Sequence, residues 1–175
     1  LGADCTAASE KDAQALTHLL ADPSIATAIY DLPSPITLQT VGAWIADAET
    51  KRRRGEALLT IRTATDATIY SYSYFTIWPD LAAAEIAGGF RTERQDAGLG
   101  KTGALRSFAW MFEAFKVRLI CVTAALDNVR SARVIEAAGF TSMGERQSRR
   151  ADGSERRSRY WETTIEQWRK LDLNA

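Results

Sequence analysis

Residues 82–124 offer a strand-like run, a glycine-bearing polar loop, a strongly amphipathic helix and a second, more apolar strand-like run, in that order. No other feature constrains the fold as much. Residues 102–115 carry Leu105, Phe108, Ala109, Phe112 and Phe115 at helical spacing, a stripe that must pack along one side of another element. Residues 117–124 (VRLICVTA) read as a buried strand. A strand, a helix and a strand of these lengths close as a right-handed crossover joining parallel neighbours. The sheet must therefore hold a parallel pair, and the hairpin signals elsewhere make it mixed.

The rest of the chain builds onto that unit. Residues 12–21, with Ala13, Leu16, Leu19 and Leu20 on one face, predict a helix that Asp22-Pro23 ends, and a short strand is expected before it. Leu38, Val41, Trp44, Ile45 and Ala48 predict a second helix over 37–48. Residues 57–63 and 68–77, rich in Ile, Thr, Tyr and Phe, predict a strand pair, and 82–90 a third strand beside it. In that third strand Gly88-Gly89 signals a bulge or a close backbone approach. Asp127 and Asn128 are good caps for a helix running to Ala138, with Gly139 as its stop. Phe140 opens a last strand pair turning at Asp152-Gly153, and 165–171 predict a closing helix. This is an α/β (α+β) chain, and at 175 residues it is expected to form one domain over 1–175. A domain of this size buries roughly 70% of its unfolded surface, so it needs neither disulfides nor a structural metal.

Composition narrows the function. Twenty-two Lys+Arg against 22 Asp+Glu give zero net charge, which removes the footprint of a general nucleic-acid binder. Cys5 and Cys121 stand far apart in no metal or redox spacing and read as reduced thiols of a cytoplasmic protein. His18 is the only histidine, so neither a His-rich zinc site nor a Ser-His-Asp triad is expected, and no metal is expected at all. The longest nearly apolar stretch, 119–126, is far too short for a membrane helix. Leu1 in place of Met points to missing upstream residues.

The loop Gln95-Asp96-Ala97-Gly98-Leu99-Gly100 lies between a strand and a helix, where exposed N–H groups and the positive helix end attract phosphate. With Lys101-Thr102 it also looks like the end of a P-loop. A P-loop ending at Gly100-Lys101-Thr102 needs its first glycine at 95, which is Gln, so an NTPase is the lesser reading. Downstream, Asn128, Ser131, Glu136, Gly139 and Phe140 follow the pattern N-x-x-S-x-x-x-x-E-x-x-G-F. This pair of motifs, in this order, resembles the GNAT N-acetyltransferases, whose acyl-CoA pyrophosphate loop reads R/Q-x-x-G-x-G/A. The second motif is similar to that of the RimJ/RimL-type branch, and Asp152-Gly153 with Arg156 or Arg157 and Tyr160 looks like its closing hairpin.

The resemblance implies a mixed, mostly antiparallel twisted sheet flanked by helices, with acyl-CoA in the splay between the central strands. It implies acetyl-CoA as co-substrate and direct transfer to a primary amine in a ternary complex. Gly88, Gly89 and Phe90 would offer main-chain groups to the pantetheine and thioester, and a backbone N–H there could hold the oxyanion. Gln95, Asp96, Ala97, Gly98, Leu99, Gly100 and Lys101 would bind pyrophosphate, and Asn128 would bind the cofactor while capping its helix. Ser131 is the hydroxyl carried over toward the thiolate, since Ile135 stands where many relatives carry a tyrosine acid. Glu85 is the expected general base, sharing a strand face with Ala87 and Gly89 unless a bulge intervenes. Acyl-enzyme chemistry through Cys121 is not expected.

Three further features remain. Tyr70, Tyr72 and Tyr74 fall on one strand face and read as core packing or an interface; separately, a homodimer is among the expected assemblies. Arg146, Arg149, Arg150, Arg156, Arg157 and Arg159 crowd the last hairpin, read as a solvated surface or as a clamp for an acidic substrate, protein or RNA. Arg52-Arg53-Arg54 reads as a solvated helix end. The acceptor is left open between a protein N-terminus and a small amine, and a non-catalytic acyl-CoA-binding domain is the alternative to an enzyme.

Overall fold

The computed structural model describes residues 5–27, 29, 31–91, 99–149 and 153–172. The strands are β1 (Cys5–Ala7), β2 (Ala57–Thr63), β3 (Ile69–Trp78), β4 (Ala83–Phe90), β5 (Leu119–Ala125), β6 (Thr141–Arg149) and β7 (Glu155–Thr164). The helices are α1 (Ala13–Leu20), α2 (Pro23–Ala26), α3 (Leu38–Arg53), α4 (Leu99–Phe115), α5 (Val129–Ala137) and α6 (Ile165–Asp172). All seven strands join one sheet in the order β1-β2-β3-β4-β5-β7-β6. Every pairing is antiparallel except β4 with β5, the pair that α4 connects.

Apolar residues cover both faces of the sheet. On one, Leu16, Leu19 and Leu20 of α1 and Val41, Ile45 and Ala48 of α3 bury Leu59, Ile61, Tyr72 and Tyr74. On the other, Phe108, Met111 and Phe112 of α4 and Ala132 and Ile135 of α5 bury Phe75, Ile120, Val122 and Trp161. Each large side chain so buried contributes about 1.5–3 kcal/mol of transfer free energy, which fixes the strand register because a one-residue slip would turn it outward.

Several boundaries differ from the sequence reading for local reasons. Asp22-Pro23 ends α1 but also starts α2: Pro23 takes the first helical position and the Asp22 side chain accepts from Ser24 N at 2.8 Å. Helix α3 runs five residues past Ala48, its polar last turns carrying ion pairs Lys51–Asp47 at 2.7 Å and Arg52–Glu49 at 2.7 Å, which put Arg52 and Arg53 at the solvated end as expected. Helix α4 begins at Leu99, so Leu99, Gly100 and Lys101 form its first turn. Strand β5 starts two residues late, after Lys116 turns the chain at φ +54°. The bulge offered for Gly88-Gly89 is absent: β3 and β4 stay in register from Ala83 to Phe90, and the shifts fall at Arg62/Thr63 and Ser142/Glu145. The close approach is there instead.

Candidate active site at the strand fork

Strands β4 and β5 pair over only three residues, Ala83 with Leu119, Ala84 with Ile120 and Glu85 with Cys121. Beyond Glu85, β4 stays with β3 as far as Phe90 and β5 stays with β7 as far as Ala125. Each central strand keeps its outer partner and loses its inner one, so a fork opens in the middle of the sheet. Main-chain groups that face a fork have no ladder partner across it and are available to an extended ligand.

Which groups face it follows from one hydrogen bond. Arg91 N donates to Tyr70 O at 2.9 Å, and in an antiparallel ladder such bonds recur at every second residue. Gly89 and Glu85 therefore turn their N–H and C=O toward β3, while Gly88 and Phe90 turn theirs into the fork. Ala84 O agrees with this parity, since it accepts from the Cys121 thiol on the β5 side at 3.6 Å. Both glycines are in tight quarters. A Cβ on Gly88 would stand 2.6 Å from Tyr72 O, and one on Gly89 would stand 3.2 Å from Ile25 Cγ2. The missing side chains thus let β3 and α2 close on β4, and the backbone of Gly88 is left for a ligand.

Glu85 sits at the apex of the fork, on the face covered by α1 and α3. Its cross-strand neighbours there are Thr76, Cys121 and, one strand on, Glu162; alternation along β5 and β7 adds Thr123 and Tyr160. The register leaves Glu85, Ala87 and Gly89 on one face, as the period of two requires. Thr123 Oγ1 donates to Glu85 Oε1 at 3.0 Å across the opening. Burial holds the Glu85 carboxyl above its usual range; Thr123 and Arg146 act against that, and the charge of Asp31 adds to it. Burial and the neighbouring Glu85 charge push the Cys121 thiol up to about 12, so it stays protonated near neutral pH and is a poor nucleophile. The Tyr160 hydroxyl donates to Glu162, and the Arg146 guanidinium lies 3.6 Å from the centre of the Tyr160 ring.

Helix α5 begins beside the far arm of the fork. Asn128 is its N-cap, its Oδ1 accepting from Ser131 N at 3.0 Å. Ser131 lies half-buried in the first turn. Ile135, one turn on, is packed into the core among residues of α4 and β5, so a tyrosine there would have to displace apolar packing. Phe90, at the end of β4, is 39% exposed. Gln95, Asp96, Ala97 and Gly98 lie outside the described residues. Leu99, Gly100 and Lys101 stand in the first turn of α4, whose N–H groups have no partner within the helix.

Of the residues singled out in the sequence, Glu85 and Gly88 lie on β4 along the fork and Asn128 caps α5; Thr123 and Glu162, which stand near Glu85, were not foreseen. The alternation in VRLICVTA places Cys121 and Thr123 on one face and could have found Thr123 once β5 was set beside β4. On the hairpin, Arg157 pairs with Glu145 and Arg149 with Glu155 at 3.7 Å, while Arg150 lies outside the described residues. Tyr72 and Tyr74 are core residues packed against Trp44, at ring separations of 6.0 and 5.3 Å. Among the described residues no helix is long and apolar enough to cross a membrane.

A forked central pair joined by a parallel crossover through α4 is the arrangement that the resemblance to the acyl-CoA-dependent transferases implies. A family model for the acetyltransferase (GNAT) domain matches residues 6–141, and the chain belongs to the GNAT acetyltransferase family. Its fold is similar to that of the ribosomal-protein-S5-alanine acetyltransferase from Vibrio fischeri, with 16% identity over 94% of this chain and 93% of that one and a TM-score of 0.77. It is similar too to RimL, the ribosomal L7/L12 α-N-protein acetyltransferase, in complex with coenzyme A: 18% identity over 95% and 97%, TM-score 0.79. A third likeness is to the microcin C7 self-immunity acetyltransferase MccE in complex with acetyl-CoA and AMP, at 16% identity over 94% of each chain and a TM-score of 0.76. A sequence comparison with curated proteins finds no match. The fold is thus that of a GNAT N-acetyltransferase, similar to those of ribosomal-protein acetyltransferases.

Proposed function

We propose that this protein moves the acetyl group of acetyl-CoA directly onto a primary amine, with both substrates bound together at the fork. The single observation that carries the reading is the fork itself, with the half-buried Glu85 carboxylate at its apex. The residues fit the co-substrate. Gly88 and Phe90 hold the pantetheine and thioester through main chain, Gln95 to Lys101 take the pyrophosphate at the start of α4, and Asn128 reaches the cofactor from the other arm.

In this reading Glu85, held above its ordinary range by burial, takes a proton from the incoming ammonium, directly or through water. The freed amine attacks the thioester carbonyl; a C–N bond forms, the C–S bond breaks, and the CoA thiolate leaves with a proton available from Ser131 or solvent. The Gly88 N–H stabilises the oxyanion between these events, the kind of preorganised donor whose loss costs acyl transferases about 10²–10³-fold. The whole described chain acts as one catalytic domain.

The reading is tested by ligand stabilisation and thiol release. CoA at 100 times its Kd stabilises the folded state by about 2.7 kcal/mol, which at this size raises Tm by roughly 5–11 °C. MgATP at the same concentration is expected to do far less, and acetyl-CoA with an amine panel is expected to release free thiol. The reverse ligand ranking would overturn the reading in favour of a nucleotide site. Stabilisation by CoA with no thiol release from any amine would leave an acyl-CoA-binding domain without turnover.

A further inference from the structure

A cavity of about 480 Å³, open to solvent on one side, lies between α3 and the β2–β3 strands. Its size falls in the range of small-molecule pockets. Trp44 and Tyr74 form one wall, stacked at 5.3 Å with their planes 17° apart. Thr76 lies on the floor, and it is the direct cross-strand neighbour of Glu85 on the same sheet face. One strand spacing, about 4.8 Å, separates the cavity floor from the catalytic strand.

The charge is uneven along this cavity. At the outer end Asp47 is paired with Lys51 at 2.7 Å and Glu56 with Arg54 at 3.6 Å, so those carboxylates are compensated. Asp31, an exposed residue in the connection between α2 and α3, also lines the cavity. Burial raises the Glu85 carboxyl and the Tyr72 and Tyr74 phenols, and the Asp31 charge adds to each. Tyr72, next to Tyr74 on the same face of β3, has a fully buried hydroxyl with no hydrogen-bond partner among the described residues. The Asp31 carboxylate, the Tyr74 phenol and the Trp44 ring thus line one cavity, whose Thr76 is the cross-strand neighbour of Glu85.

We propose that this cavity is the acceptor pocket and that it takes a compact organic cation, a primary amine on an aromatic or aliphatic body, with its ammonium held at Asp31 and handed to Glu85. The stacked Trp44–Tyr74 pair receives the body, and its electron-rich faces favour the ammonium as well. An acceptor carrying a carboxylate next to its amine places that charge against Asp31 and Glu85 and is rejected. This rests on the acetyl-transfer reading and adds to it the class of the acceptor. The proton balance is unchanged: the ammonium enters charged, Glu85 accepts one proton, the amide forms, and CoA leaves as the thiol.

The test compares 2-phenylethylamine, phenylalanine and an alanine-initiated hexapeptide as acceptors, following thiol release at saturating acetyl-CoA. The arylalkylamine is expected to exceed phenylalanine in kcat/KM by at least about tenfold, the scale of one charge-assisted contact. Asp31→Asn is expected to raise KM for the amine about tenfold while leaving the KM for acetyl-CoA unchanged, and to abolish the amine's effect on Tm in the presence of CoA. Trp44→Leu provides a second variant, with the same split between the two KM values. Equal or better turnover of the hexapeptide, or an amine KM that ignores Asp31→Asn, overturns the pocket while acetyl transfer stands. Thiol release from none of the three overturns the acceptor class, and failure of CoA to raise Tm overturns the acetyl-transfer reading itself.

Discussion

Gly88→Ala probes whether the β3–β4 spacing sets the geometry of the fork. The added Cβ would stand 2.6 Å from the Tyr72 carbonyl oxygen and 3.2 Å from Ser73 Cα, where ordinary contact begins at 3.4 Å. Both are backbone atoms of the neighbouring strand, so no rotamer change can relieve the clash and β4 must move. Forcing a methyl group into a packed site costs about 1–3 kcal/mol. At 2–4 °C per kcal/mol for a chain of this size, Tm is expected to fall by roughly 2–12 °C. Gly88 also turns its main chain into the fork, so the same shift is expected to weaken CoA binding by tenfold or more, read by titration calorimetry. Gly42→Ala and Gly103→Ala are the controls, because nothing lies within 4 Å of their added Cβ atoms and both sit inside helices. There alanine is expected to stabilise by about 0.5–1 kcal/mol without touching CoA affinity. A Gly88→Ala protein with wild-type Tm and wild-type CoA affinity would refute both the spacing argument and the role of Gly88.

Two other residues give sharp expectations. Asn128→Ala removes the side chain that caps α5 and is expected to cost about 1 kcal/mol, whereas Asn128→Asp keeps an acceptor for Ser131 N and restores Tm; if CoA affinity falls in both variants the residue also binds cofactor, and if it falls in neither, capping is its whole role. Because burial raises the Glu85 carboxyl above its unfolded value of 4.5, the folded state resists its ionisation, and the destabilisation grows as pH rises from that value through the folded one. Glu85→Gln is therefore expected to be more stable than wild type at neutral pH, with the difference in Tm vanishing below about pH 4.5, and to lose about 10²–10⁴ in rate together with the acidic limb of its pH profile. A Tm difference that does not depend on pH would remove burial as the cause.

Local chemistry was legible in the chain without tertiary information. Helical spacing in 102–115 and alternation in 68–77 reflect the burial periods of single elements, and Asn128 and Gly139 mark the two ends of α5 because caps act within one turn. The crossover demanded a parallel pair, and the structure has one, between β4 and β5. The motif around Gln95 and Asn128 carried the family, since it sits in short contiguous segments. Even Glu85 could be placed on a face, because the alternation of a strand is local.

What only the tertiary structure decided depends on residues far apart in sequence. The fork arises because β3 and β7 each hold one central strand more extensively than β4 and β5 hold each other, a comparison of three pairings that no local window contains. Gly88 and Gly89 looked like openings for a ligand, yet the space beside them is taken by Tyr72 and Ile25, and only the ladder parity shows which of the two faces the fork. Asp31, in an irregular connection with no periodicity to read, comes to line one cavity with Trp44 and Tyr74 through tertiary packing. Periodicity reports which side of an element is buried; which charges then face one another across the cavity is settled by long-range packing.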